Sequence, residues 1–176
     1  GLAGADSVTE KEYLQMCAYK TGTLARMSAK IAAVLARADD DKIEKIGRFA
    51  ESLGITFQIQ DDIFNIVNEK YAEKKGGLGE DITEGKRTLM VIHTLQKSSQ
   101  KDRKRLLEIL EMHTTHQKLR NEAIAIIKKH GSVDYAGRFA QKLVAGTWGE
   151  VDKILKDSPA KEKLRAFAYY LIERDM

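Results

Sequence analysis

The chain is predicted to be all-α, and three observations carry that expectation. A single proline interrupts 176 residues, so almost no position is barred from a helix interior. Apolar residues recur three and four apart through most of the sequence, the spacing that gathers them on one helix face. Short polar signals of the kind that start and stop helices separate these stretches. With 43% hydrophobic residues, the length suits one compact helical domain over 1–176 and is short for two.

The first helix is expected from about Thr9 to Arg37. Thr9-Glu10-Lys11-Glu12 reads as a capping box, in which Thr9 and Glu12 satisfy each other's free backbone donors. Its apolar stripe, Leu14, Cys17, Leu24, Met27, Ile31, Val34 and Leu35, is expected to face a core. Asp39-Asp40-Asp41 supplies a cap and favourable charge for a second helix, about Lys42 to Val67. From Asn68 to Lys86 the periodicity breaks. Gly76, Gly77, Gly79 and Gly85 lie among Lys70, Lys74, Lys75, Glu80, Asp81, Glu84 and Lys86, a flexible, charge-rich loop. Long loops in compact domains are often functional or disordered.

A helix resumes near Thr88, with Leu89, Ile92 and Leu95 on one side. Ser99-Gln100-Lys101-Asp102 caps the next, which holds Leu106, Leu107, Ile109 and Leu110. Thr115 is expected to cap a third, stopped by Gly131. Ser132 restarts the chain into a helix with Tyr135, Phe139, Leu143, Trp148, Val151 and Leu155. Ser158-Pro159 places a cap and a first-turn proline before the final helix.

Composition narrows the function classes. Thirty basic against twenty-six acidic residues leave +4, with the signs interleaved. That is a mildly basic surface, not a nucleic-acid footprint. Cys17 is the one cysteine, which excludes an internal disulfide and fits a reducing, cytoplasmic setting. No apolar run approaches the ~18 residues of a membrane span. The N-terminus, which begins at Gly1, shows no charged segment followed by an apolar one, so no secretion signal is expected.

The stretch Phe57-Gln58-Ile59-Gln60-Asp61-Asp62-Ile63-Phe64-Asn65 carries the most chemistry. Gln58, Asp61, Asp62 and Asn65 fall at i, i+3, i+4 and i+7, on one face of a helix that is apolar elsewhere. Unpaired carboxylates on such a helix are costly to bury. A hard divalent cation with oxygen ligands neutralises them well. An N-cap cluster or a solvated stripe is the bland alternative, but Asp61 and Asp62 sit mid-pattern, away from a helix start.

Lys20 and Thr21 emerge from or beside the first apolar stripe. Periodicity does not choose between a lysine that snorkels to solvent and a cation aimed into a cavity. Lys75 and Lys86 flank a glycine-rich segment where the backbone can approach a ligand, and lysine suits phosphate oxygens. A carboxylate face able to hold Mg²⁺, with lysines able to reach it, would bind a diphosphate through metal bridging. His113 and His116 lie three apart at a helix break with no third ligand nearby, and read as surface histidines. Cys17 and Trp148 read as packing residues.

Lys20-Thr21, then Phe57-Gln58 with Asp61-Asp62, then Gly79-Glu80-Asp81-Ile82-Thr83-Glu84-Gly85-Lys86 ahead of a helix, resemble the trans-isoprenyl diphosphate synthases, most closely the farnesyl and geranylgeranyl diphosphate synthases of archaeal type. The similarity runs from about Thr9 to the C-terminus. It implies the C-terminal part of the isoprenoid synthase helical bundle, and Mg²⁺-assisted ionisation of an allylic diphosphate followed by attack of isopentenyl diphosphate. By this resemblance Asp61 ligates Mg²⁺, Asp62 supports it and Asn65 contributes at the edge. Lys20, Lys75 and Lys86 grip diphosphate, Thr21 and Gln58 turn oxygen dipoles toward the developing cation, and Phe57 belongs to the substrate site. Asp81 organises the lysine-bearing loop.

The family pattern departs at Asn65, where aspartate is usual, and near Lys75, which stands one position from the usual lysine. Gly1-Leu2-Ala3-Gly4-Ala5-Asp6 only loosely matches the family's Gly-Gln segment. The family's first aspartate-rich motif lies upstream of the Lys-Thr helix and has no counterpart here. The expectation is therefore a split enzyme. This chain supplies the second motif, a separate N-terminal-half chain supplies the first, and split synthases pair into a larger hetero-oligomer. The alternative is a non-catalytic regulatory or structural subunit of a heteromeric synthase. Product length is set in the family near the first motif, so it is not legible here.

Overall fold

The structure is a computed structural model and describes residues 8–68 and 77–173. The regular elements among these residues are all helices. In chain order they are α1 (Glu10–Cys17), a π-helical turn (Ala18–Gly22), α2 (Thr23–Leu35), α3 (Asp40–Val67), α4 (Glu80–Thr83), α5 (Leu89–Lys97), α6 (Gln100–Glu111), α7 (Gln117–Lys129), α8 (Ser132–Asp152) and α9 (Pro159–Glu173). The all-α expectation is met. No helix among the described residues is long and apolar enough to cross a membrane.

Two compact units are distinguished, Gly1–Tyr13 with Asp61–Gly137, and Leu14–Gln60 with Arg138–Met176. In the first, α5, α6 and α7 pack on one another through Leu89, Ile92, Leu106, Ile109, Leu110 and Ile127, all buried. Their ends are set as the polar signals predict. The Thr88 hydroxyl accepts the Val91 amide at 3.4 Å and the Ser99 hydroxyl accepts the Asp102 amide at 3.3 Å. Gly131 stops α7 at φ +64°. The α7 start differs from expectation. His116 is its N-cap residue, and the Thr114 hydroxyl, not that of Thr115, turns the chain by accepting the His116 amide.

The Thr9–Glu12 capping box forms as predicted, with the Thr9 amide donating to the Glu12 carboxylate at 2.8 Å. Tyr135, at the start of α8, donates its hydroxyl to Glu10 at 2.9 Å and stacks on His93, ring centroids 4.0 Å apart. This pair ties α8 to both α1 and α5 inside the same unit.

In the second unit, Phe49 of α3 meets Trp148 of α8 with ring centroids 5.4 Å apart, and Cys17, Val144, Val151 and Ala168 are buried. Asp39 caps α3 by accepting the Lys42 amide at 2.9 Å. Ser158 caps α9 through the Lys161 amide at 3.2 Å. Lys161 folds back to donate to the Asp152 and Leu155 carbonyls at 2.8 and 3.1 Å, closing the C-terminal end of α8.

The first predicted helix differs in two ways. It is not α-helical throughout, because the π turn interrupts it at the Lys20-Thr21 pair. Its stripe also fails to reach a core beyond Cys17. Leu24, Met27, Ile31, Val34 and Leu35 are exposed, from 51 to 79%. Periodicity shows that a face is apolar, but not what covers it.

Candidate functional site

The last turns of α3 place Asp61, Asp62 and Asn65 in the first unit, together with the glycine-rich segment. Asp62 is 4% exposed, and its Oδ2 accepts the hydroxyl of Tyr13 at 2.6 Å. A buried bond this short lets Tyr13 hold the Asp62 side chain in place. Tyr13 was invisible as a site residue in the sequence, because it stands 49 positions from the carboxylate it holds. Asp61, its neighbour on the helix, is only half-buried.

Asn65 turns toward the chain that follows. Its side-chain Oδ1 accepts the Asp81 amide at 3.1 Å, and its carbonyl accepts the Gly79 amide at 2.8 Å. Gly79 makes that turn at φ +82°, in the left-handed region that favours glycine. The short α4 begins there and carries Asp81. The Lys86 amide closes back on the Asp81 carbonyl at 2.9 Å.

The Lys86 ammonium bonds the Asp81 carboxylate and lies 3.1 Å from the carboxylate of Glu84. Burial pushes the Asp81 carboxyl upward against the pull of Lys86, with the charges of Glu84 and Asp61 adding to the rise. Burial draws the Lys86 ammonium down, but its bond to Asp81 and that charge outweigh burial and carry it well above the usual lysine value. Lys86 is thus a fixed cation. Asp62, Asp81, Lys86 and Thr88 line one small cleft, with Ile66 and Ile127 also in its wall. Lys70, Lys74, Lys75 and Gly76 lie outside the described residues.

The donor set fits Mg²⁺. Asp61 and Asp62 offer hard carboxylate oxygens at adjacent positions, and Asp61 lies near enough for its charge to act on Asp81. Among the described residues no three acids, histidines or cysteines converge on one point.

The other predicted residues gather in the second unit. The π turn carries Lys20, which is exposed, and Thr21, which is half-buried. Such turns inside α-helices recur at functional sites. The turn is seated by a backbone contact between glycines. A Cβ built on Gly54 would stand 2.7 Å from the Gly22 Cα and 3.2 Å from the Thr21 carbonyl carbon. One helical turn beyond Gly54, Gln58 is 8% exposed on α3, so it shares the face to which Thr21 is pressed. Phe57 is 48% exposed. Arg26 binds Glu44 and Glu51 at 3.4 and 3.2 Å, which holds α2 along α3. His113 and His116 are exposed, as the sequence predicts, and Cys17 is buried.

The family model that matches is described as polyprenyl synthetase, over residues 2–127. A short chain isoprenyl diphosphate synthase of Methanothermobacter thermautotrophicus is 34% identical over 168 residues, 96% of this chain and 50% of the relative. A geranylgeranyl diphosphate synthase of Saccharolobus solfataricus is 34% identical over 95% of this chain and 50% of the relative. The crystal structure of a geranylgeranyl pyrophosphate synthetase from Pyrococcus horikoshii superposes with a TM-score of 0.84 at 32% identity, covering 97% of this chain and 51% of that one. The chain thus spans about half the length of these relatives.

Proposed function

The chain belongs to the polyprenyl synthetase family, and on that premise we propose that it supplies one half of a chain-elongating isoprenyl diphosphate synthase site. The observation that carries this reading is the cleft where Asp62, Asp81 and Lys86 meet, with Asp61 close enough for its charge to act on Asp81. A purely structural subunit has no physical need for acids and a locked lysine there.

The substrates are an allylic diphosphate and isopentenyl diphosphate. In the reaction the allylic C–O bond breaks and its electron pair leaves on the diphosphate. The double bond of isopentenyl diphosphate attacks the carbocation, and a proton is then lost. Mg²⁺, when bound by Asp61 with support from Asp62, supplies positive charge to the leaving diphosphate. Lys86 adds a cation held by Asp81 there, and in the same reading Lys20 and Lys75 would add further positive charge to the leaving diphosphate. Thr21 and Gln58 present oxygen dipoles to the developing cation, and Phe57 contributes an apolar ring beside them. Asn65 braces the loop that carries Asp81 and Lys86.

The same reading makes the chain the C-terminal half of the fold, one helical domain that needs a second polypeptide for the first aspartate-rich motif. The exposed stripe Leu24, Met27, Ile31, Val34 and Leu35 supports such a partner, since apolar patches of this kind mark interaction surfaces. Pairing of these split synthases into a hetero-oligomer in the cytoplasm completes the proposal.

Affinity capture of the full chain from its native cells tests it. The expected co-purifying chain carries an aspartate-rich motif of its own and corresponds to the missing half. Capture of a complete synthase would favour a regulatory subunit, and recovery of the chain alone would contradict the split site.

A further inference from the structure

A four-residue helix cannot hold its own orientation in water, because helix nucleation costs more than so few backbone bonds return. The aim of α4, with Asp81 inside it and Lys86 just beyond, must therefore be fixed by its neighbours. Asn65 of α3 bonds the Gly79 and Asp81 amides at the start of α4, and the remaining grips come from α7 and the turn before it. Arg120 is 6% exposed, and its Nε donates to the Thr83 hydroxyl at 2.7 Å. That hydroxyl in turn donates to the Thr114 carbonyl at 2.6 Å. One hydroxyl thus links a buried guanidinium on α7 to the backbone of the preceding turn, and both its accepting and donating capacities are used.

Further contacts grip the same segment. His113 donates through Nδ1 to the Thr83 carbonyl at 3.0 Å, and Gln117 donates to the Leu78 carbonyl at 3.1 Å. A Cβ on Gly79 would meet the Arg120 Cβ at 3.4 Å and Ile124 at 3.3 Å, so the backbone lies directly against α7. Thr83 stands two residues after Asp81 and three before Lys86.

We propose that Arg120, acting through the Thr83 hydroxyl, is a positioning residue that, beside Asn65, sets where Asp81 and Lys86 meet a diphosphate. The proposal rests on the functional reading above, because it takes this loop to face the leaving group. Arg120 does not touch substrate. It holds the element that does.

Thr83→Val keeps the side-chain shape and removes the hydroxyl, whereas Thr83→Ser keeps the hydroxyl. Arg120→Gln is the direct variant, but loss of a buried guanidinium can unfold the unit, so the Thr83 pair keeps the test decisive. The full chain is used throughout, with two readouts. One is amide hydrogen exchange over Ile82–Lys86 without ligand, and the other is calorimetric binding of inorganic pyrophosphate in the presence of MgCl₂.

Thr83→Val should speed exchange at those amides ~10-fold and weaken pyrophosphate binding ~10-fold, while Thr83→Ser stays within ~2-fold of wild type on both. Unchanged exchange in Thr83→Val overturns the clamp. Faster exchange with unchanged pyrophosphate binding overturns its positioning role. Failure of the wild-type chain to bind pyrophosphate both alone and with the N-terminal-half chain added overturns the functional reading instead, with the clamp still decided by exchange.

Discussion

Replacing Asp61 by alanine should lower turnover of the assembled enzyme by roughly 100- to 1,000-fold, the scale seen when one preorganised group that stabilises developing charge is removed. The thermal midpoint of the chain should move by only about 1–2 °C, because substitutions at half-exposed positions rarely change stability much. Asp62→Ala is the informative contrast. Asp62 is buried and accepts the Tyr13 hydroxyl at 2.6 Å, so its loss removes a buried hydrogen bond and costs about 1–3 kcal/mol of stability. The two neighbours therefore separate chemistry from folding. Steady-state turnover and thermal unfolding of both variants read the difference. If Asp61→Ala loses folding and turnover together, the carboxylate is structural.

Gly54→Ala should be the most damaging change in the second unit. The added Cβ would lie 2.7 Å from the Gly22 Cα, a backbone atom that cannot rotate away. Relief requires α3 and the π turn to separate, which displaces Lys20 and Thr21. Gly47→Ala is the matched control on the same helix. Its Cβ would meet the Lys30 side chain at 2.8 Å, and a lysine side chain can shift. Both substitutions gain the same helix propensity of about 1 kcal/mol, so their difference isolates the backbone contact. Gly54→Ala should be less stable than Gly47→Ala by about 1–3 kcal/mol, the cost typical of overpacking. Urea unfolding of the two variants measures it. Equal midpoints would remove the contact as the seat of the turn.

The sequence was most legible where function and local pattern coincide. The polar face of α3 showed itself because Gln58, Asp61, Asp62 and Asn65 share a helical repeat that the surrounding apolar residues do not need. The caps at Thr9, Asp39, Ser99 and Ser158 were legible because a cap bonds within three residues of itself. What escaped has no local signature. Tyr13 meets Asp62 across 49 positions and Arg120 meets Thr83 across 37, and neither separation leaves a periodic trace. The π turn escaped because tertiary seating of Gly22 on Gly54 sets it, while the local residues alone read as ordinary helix. The stripe from Leu24 to Leu35 was legible as apolar, but periodicity does not encode whether such a face is covered, and here it is exposed.

The central proposal is that this chain supplies one part of a prenyltransferase site and that an N-terminal-half chain supplies the other. The most direct measurement is condensation of an allylic diphosphate with isopentenyl diphosphate in the presence of Mg²⁺. It should be run on the full chain alone and on the chain reassembled with its N-terminal-half partner. Negligible product from the chain alone, and Mg²⁺-dependent elongation once the partner is added, is the predicted result. Robust turnover by the 176-residue chain on its own would contradict it.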